Sequence, residues 1–244
     1  MRSFEYHKLD QIEHQAWWFR GLHENLVATF HQRRPKRPHG VILDAGCGTG
    51  GLLRKLAQVL PEYTLFGLDV DIMACEIARA KCGQFVCLGS VNSLPFSDGC
   101  FAAIFSADVL SHGGVDQKKA LKNFHRCLQH EGVLLLNLPA YPWLFSGHDR
   151  VVHNVRRFTN KDIRELLMVA GFVDVETTFW NTVLFPLMVL HRILSSNTDD
   201  SDVRLYARPL ETIFRTIMGL ETFILSRGLK LPYGGSIIAT AIKK

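Results

Sequence analysis

The sequence predicts an α/β fold built on a doubly wound parallel sheet, and three observations carry that prediction. Short apolar runs alternate with segments of helical periodicity from residue 41 to residue 180. A glycine cluster, Asp44-Ala45-Gly46-Cys47-Gly48-Thr49-Gly50-Gly51, stands between the first apolar run and the first helical pattern. The run Gly132 to Leu138 is apolar almost without interruption, as in a strand buried on both faces. Such an architecture binds its ligands outside the carboxyl ends of the strands.

Taken in order, Val41 to Asp44 is the first strand, and Leu52, Leu53, Leu56 and Leu60 recur at helical spacing after the glycines. Thr64 to Asp69 and Asp71 to Ala80 form the second strand and helix. Phe85 to Gly89 is the third strand, which runs into the loop Asn92 to Gly99, and Phe101 to Ser106 is the fourth. Ala120, Leu121, Phe124, Cys127 and Leu128 mark an amphipathic helix ahead of the strand Gly132 to Leu138. Thr159 and Asp162 have capping-box spacing, Ile163, Leu166, Leu167 and Ala170 share one helical face, and Gly171 is the stop before the strand Val173 to Trp180.

Residues 181–235 break the rhythm. Helical patterns at Leu184 to Leu194 and Leu210 to Leu225 flank the polar stretch Ser195 to Asp202, and a last strand, Ser236 to Ile242, follows. A structureless connection of this length is improbable in a compact domain, so a helical insert is expected, as lid, substrate pocket or dimer surface. The expected division is a helical cap with a basic linker (1–39), a core (40–180 plus 236–244) and the insert (181–235).

Composition narrows the class. With 244 residues, 47% hydrophobic and 21% charged, and 28 Lys plus Arg against 23 Asp plus Glu, the chain is neither disordered nor collagen-like. The apolar stretch Thr182 to Leu190 stops at His191 and Arg192, short of the roughly 20 residues that span a bilayer. Met1 to Asp10 lacks the apolar region of a secretory signal, so a cytoplasmic location is expected. Cys47, Cys75, Cys82, Cys87, Cys100 and Cys127 contain no Cys-x-x-Cys pair, which argues against zinc or a disulfide framework, and no metal is expected. The run Arg33, Arg34, Lys36, Arg37, broken by Pro35 and Pro38, reads as a solvated linker, and no nucleic-acid motif accompanies it.

The glycines let backbone approach a ligand closely at a helix N-terminus. By spacing, Gly46, Gly48 and Gly51 fit a dinucleotide fingerprint, and Asp69 suits ribose hydroxyls, so both nicotinamide and adenosyl cofactors remain open on these residues alone. Taken together, Ile42 to Gly50, Asp69 and Leu94-Pro95-Phe96 before the fourth strand resemble the class I S-adenosylmethionine-dependent methyltransferases over residues 40–180 and the last strand. The resemblance implies a Rossmann-like, mostly parallel seven-stranded sheet with an antiparallel last strand. It also implies S-adenosylmethionine as cofactor and S-adenosylhomocysteine as product. Carried over, Asp44, Gly46, Cys47 and Gly48 hold the amino-acid end, Asp69 and Val70 the ribose, and Ser90, Val91 and Asn92 the adenine, with Ser106 at the end of the fourth strand completing the set. Ser90 stands where many relatives have Asp, and a hydroxyl accepts from the adenine amino group more weakly than a carboxylate. The segments His14 to Phe19 and His148-Asp149 through Arg156-Arg157-Phe158 resemble a bacterial subgroup of that family, which carries an arginine near the position of Leu22.

Methyl transfer is an in-line displacement that needs an oriented acceptor lone pair and, for a hydroxyl or protonated amine, a base. His112, His148 and His153 are the candidate bases, with Asp149 as a partner that could orient a histidine. Trp18, Tyr141 and Trp143 are candidate acceptor contacts, and Arg157, with Arg156, a candidate for an anionic group. The expected activity is O- or N-methylation of a small, apolar or amphipathic acceptor, with a homodimer through the insert as one arrangement. A nicotinamide-dependent oxidoreductase and a non-catalytic interaction module are the alternatives.

Overall fold

The computed structural model describes residues 3–35, 39–194 and 205–244. Lys36, Arg37 and the polar stretch Ser195 to Asp202 lie outside the described residues. Seven strands form one sheet: β1 (Gly40–Ala45), β2 (Tyr63–Asp69), β3 (Phe85–Leu88), β4 (Phe101–Ala107), β5 (Leu128–Pro139), β6 (Phe172–Trp180) and β7 (Ser236–Lys243), in the order β3-β2-β1-β4-β5-β7-β6. β1 pairs in parallel with both β2 and β4, so sheet growth changes direction between β1 and β4 and opens a crevice at their carboxyl ends. β7 runs antiparallel between β5 and β6, as the sequence reading expects.

Helices cover both faces. On one, α2 (Trp17–Gln32), α3 (Gly51–Val59), α4 (Ile72–Cys82) and α9 (Arg208–Ser226) bury Leu26, Phe30, Leu53, Leu56 and Met218 against Ile42 and Phe105 of the sheet. On the other, α5 (Gln117–Cys127) and α7 (Asn160–Val169) bury Leu121, Phe124, Ile163 and Leu167 against Ile104, Leu134 and Leu136. Asp71 and Asp116 cap α4 and α5 through their carboxylates, and Thr159 with Asp162 makes the expected capping box on α7.

Residues 3–13 form a helix, α1 (Ser3–Glu13), within the segment read as a helical cap. Three elements differ from the sequence reading. Leu128 is the first residue of β5, paired with Phe101, and not the end of α5. The segment from Pro139 to Phe158 holds a 3₁₀ turn (Pro142–Leu144) and a short helix, α6 (Gly147–Val151), started by a Ser146 and Asp149 capping box. The insert consists of α8 (Phe185–Leu194) and α9, and α9 packs on α2 as part of the main core: Trp17 meets Phe214 edge to face at 5.3 Å, and Gly21 gives way to Met218.

Candidate active site

The glycine loop leaves β1 at the crevice. Gly46 has φ of +87°, and a Cβ there would stand 2.2 Å from Cγ2 of Val109, just past β4, so only glycine lets these two strand ends close together. Gly48, at φ +51°, faces open space, because a Cβ built there meets nothing within 4 Å. The loop is anchored to β2: the N–H groups of Gly46 and Cys47 both donate to the Leu68 carbonyl, at 2.7 and 3.0 Å. Asp69 is preorganised by the same loop, since its carboxylate accepts from the backbone N–H of Gly48 at 2.8 Å and of Asp71 at 3.0 Å.

Asp44 lies at the end of β1, almost fully buried, and its Oδ2 has no hydrogen-bond partner. Burial, with the charges of Asp69 and Glu13 nearby, pushes its carboxyl up to about 8. Glu13, at the end of α1, is buried and raised for the same reason, held back by Lys81, which also pairs with Asp10. Glu13 and His23 meet the start of α3 so closely that a Cβ on Gly51 would lie 2.6 Å from Glu13 Oε2 and 3.0 Å from His23 Cε1. Glu13 is a site neighbour that the sequence reading did not single out; its position before the tryptophan pair was the available signal. Partly buried and flanked by Lys55 and Lys81, His23 has its ring lowered to about 3, chiefly by desolvation, and is held neutral.

The candidate cofactor residues divide by what their side chains do. Val70 is exposed beside Asp69, and Val91 is buried in the second core cluster. Ser90 Oγ accepts from the Asn92 N–H at 3.2 Å, leaving its own proton to donate. Three of these side chains are engaged within the protein. Asn92 spends its side chain on the next loop, donating to the Gly114 carbonyl and accepting from Asp116 N–H, both at 2.9 Å. Ser106 is buried and donates to the Ala45 carbonyl at 2.9 Å, tying β4 to β1. Cys47 turns its sulfur inward against Gly67, where burial raises its thiol, so only its backbone belongs to the loop.

Directly after β4 stands Asp108, a non-glycine residue at φ +58°, whose carboxylate oxygens both accept from Asn137 Nδ2 at 3.0 Å. Asn137 Oδ1 in turn accepts from the Trp180 indole at 2.7 Å, and Trp18 packs on Trp180 at 5.6 Å. Burial pushes the Asp108 carboxyl up to about 7, against the pull of Asn137 and Arg157. Sequence reasoning passed over this aspartate in favour of His112 four residues on. His112 is partly buried and its ring is lowered, by burial first and by nearby His153 second. The segments of His112 and His153 are joined by the Gly113 N–H donating to the His153 carbonyl at 3.2 Å. His148 is half-buried on α6.

Both candidate arginines are engaged within the protein. Arg157 is buried, its Nε donating to both oxygens of Asp149 at 3.0 Å and its Nη1 to the Ala140 carbonyl at 2.9 Å. Arg192 reaches the same carboxylate at 3.5 Å. Burial alone would raise Asp149, but the two guanidiniums hold it below its ordinary value, so this carboxylate serves arginines. Arg156 donates to the carbonyls of Leu110 and Val115, closing the loop after β4. Tyr141 stacks on Phe179 at 5.4 Å and meets Trp143 and Phe185 at 5.7 and 5.5 Å, forming an aromatic group beyond the end of β5 with Trp143 largely exposed. A hollow of about 410 Å³ lies elsewhere, on Asn92, Lys119, Lys122, Asn123, His125 and Arg126, and contains no residue of the glycine loop.

The family profile described as a methyltransferase domain matches residues 42–132, which include the glycine loop, Asp69 and Asp108. Residues 42–132 are a class I S-adenosylmethionine-dependent methyltransferase domain. The chain is 32% identical over 162 residues to a malonyl-[acyl-carrier protein] O-methyltransferase of Herminiimonas arsenicoxydans, a match covering 64% of this chain and 61% of the relative. It is 34% identical over 148 residues to the Bos taurus protein named "Probable tRNA methyltransferase 9B", covering 59% of this chain and 30% of that one. The matches thus span less than two thirds of either curated relative. A chain in the complex between the Haloferax volcanii Trm112 methyltransferase activator and a methyltransferase has the same fold, with a TM-score of 0.63 at 20% identity, over 99% of this chain and 93% of that one. Among the described residues, no helix is long and apolar enough to cross a membrane, and no three His, Cys, Asp or Glu side chains are grouped to hold a metal.

Proposed function

We propose that the protein transfers the methyl group of S-adenosylmethionine to a hydroxyl or amine of a small amphipathic acceptor, with Asp108 receiving the acceptor's proton. The observation that carries the reading is the pairing of two raised carboxyls across one crevice: Asp44, with an unpartnered oxygen, and Asp108, at the end of β4. The residues fit the cofactor. Its ammonium is the cation Asp44 lacks, its ribose hydroxyls match Asp69, and the space before Gly48 admits its amino-acid end. When bound, the cofactor supplies an electrophilic methyl carbon on a positively charged sulfur.

Asp108 would take and hold the acceptor's proton, leaving the acceptor's lone pair free for the methyl carbon that the bound cofactor would supply, with the sulfur as leaving group. Asn137 fixes the carboxylate through both oxygens, and a carboxyl near 7 is poised to accept at neutral pH. His112 and His153 stand in the loops around that group and remain candidate bases in this reading, with His148 more distant in role. Trp18, Tyr141 and Trp143 supply apolar contact for the acceptor.

A small acceptor is preferred to a nucleic acid because Arg33 pairs with Asp174 and Glu176 and Arg34 with Glu62, at the amino ends of β1, β2 and β6, opposite the crevice. A nicotinamide cofactor would bring its pyrophosphate against Asp44, Asp69 and Glu13. Six free cysteines suit a cytoplasmic setting. The test is transfer of a labelled methyl group to a panel of amphipathic alcohols, phenols, amines and carboxylates, with tRNA as a further acceptor; transfer to tRNA alone would overturn the small-molecule reading.

A further inference from the structure

We infer that the outer side of α9 docks on an anionic lipid surface. Phe214, Met218 and Leu225 sink into the core against α2, yet the helix leaves Leu210, Ile213, Leu220 and Phe223 in solvent, from 37% to 62% exposed. Leu210, Ile213 and Leu220 follow helical spacing, so they form a stripe on one side. An exposed apolar stripe of this kind marks a contact with a partner or a membrane.

The charges around it identify the partner. Arg208 and Arg215, seven residues apart, project from the same helix, and Arg227 at its end lies over the Phe223 ring at 4.6 Å. The acids of α9 are occupied by backbone donors: Glu211, beside the two arginines, accepts from the N–H groups of Trp17 and Tyr206, and the buried Glu221 from those of Thr182 and Val183. Among the described residues of 181–235 these two are the acids, so the exposed side carries Leu210, Ile213, Leu220 and Phe223, then Thr212, Thr216 and Gly219, with Arg208 and Arg215 along its far edge and no carboxylate. Apolar side chains entering the headgroup boundary with arginines meeting phosphates is the chemistry of an interfacial helix on an anionic leaflet. A second copy fits worse, because a two-fold contact would set Arg208, Arg215 and Arg227 against themselves with no outward carboxylate among the described residues of α9 to meet them. Asp199, Asp200 and Asp202, in the segment between α8 and α9, oppose docking in net charge, so the test uses the full chain.

Flotation with vesicles of phosphatidylcholine, and of phosphatidylcholine mixed with phosphatidylglycerol, decides the matter. Three arginines predict binding to the anionic vesicles about a hundredfold tighter than to the neutral ones, and weakened by salt. Leu220→Asp with Phe223→Asp should abolish flotation, and Arg208→Gln with Arg215→Gln should remove the preference for anionic lipid. Both variants should still bind adenosylhomocysteine, which shows that they fold and separates this inference from the reading of the crevice. Equal flotation with both vesicles, none with either, or a dimer in light scattering that Leu220→Asp dissolves would overturn it, the last by assigning the face to a second copy.

Discussion

The side-chain amide of Asn137 donates to both carboxylate oxygens of Asp108 at 3.0 Å while its own carbonyl oxygen holds the Trp180 indole at 2.7 Å. Two strand ends, β4 and β5, are thereby locked in register by side chains as well as backbone, and the Asp108 N–H donates to the Asn137 carbonyl besides. A carboxylate held this firmly, with the backbone at positive φ, is a group whose position matters more than its cost.

Asp108→Asn should lower kcat by about a hundredfold or more, the range for removing a general base, with cofactor affinity little changed. The alkaline rise of kcat/KM near pH 7 should vanish with it. An Asp108→Asn enzyme that keeps the wild-type pH profile would move the role to His112 or His153.

Cofactor binding should release a proton. With Asp44 raised to about 8 in the free protein, it is mostly protonated at pH 7, and pairing with an ammonium favours its ionised form. Titration calorimetry in buffers of different ionisation enthalpy should show close to one proton released at pH 6.5 and much less at pH 9, and Asp44→Asn should bind weakly and release none.

Stability without ligand should depend on pH through the same two acids. Asp44 and Asp108 are raised to about 8 and about 7, so the native state keeps protons that the unfolded chain gives up near pH 4. Their contribution is complete below that value and is lost as pH climbs through 7 and 8. The melting temperature of the free protein should therefore fall between pH 6 and pH 9, less steeply in Asp44→Asn.

Gly46→Ala and Gly48→Ala should separate. The first drives a methyl to 2.2 Å from Val109 Cγ2 at positive φ and should destabilise by several kcal/mol, partly relieved by Val109→Ala. The second meets only open space, so it should cost about 1 kcal/mol of stability and a larger factor in cofactor affinity.

Arg157→Leu should cost about 3 to 5 kcal/mol, because it strands the buried Asp149 carboxylate with the more distant Arg192. The double variant with Asp149→Leu should recover part of the loss. A folded Arg157→Leu protein with raised KM alone would restore the arginine to the acceptor site.

Most of the strand and helix order was legible in the sequence because residues 41–180 keep continuous apolar runs for buried strands and clean stripes for covering helices. The glycine loop was legible for a related reason: positive φ and close approach leave few substitutes for glycine. The internal hydrogen bonds of Asn92, Ser106, Arg156 and Arg157 were not, since a polar side chain looks the same in sequence whether it faces a ligand or ties two loops together. Asp108 was hidden by its neighbours, because its importance comes from Asn137 and Trp180, 29 and 43 residues apart in the two links of the chain. α1 carries no apolar stripe and is placed by Glu13 and Asp10 meeting Lys81, a contact between distant segments.

The central claim is that the crevice between β1 and β4 binds an adenosyl cofactor through Asp44. Calorimetric titration of the wild-type protein and of Asp44→Asn with adenosylhomocysteine and with NADH tests it most directly. The wild type should bind adenosylhomocysteine at about micromolar Kd, Asp44→Asn at least tenfold more weakly, and neither should bind NADH. A folded wild-type protein that binds NADH, or that binds adenosylhomocysteine no better than the variant does, would contradict it.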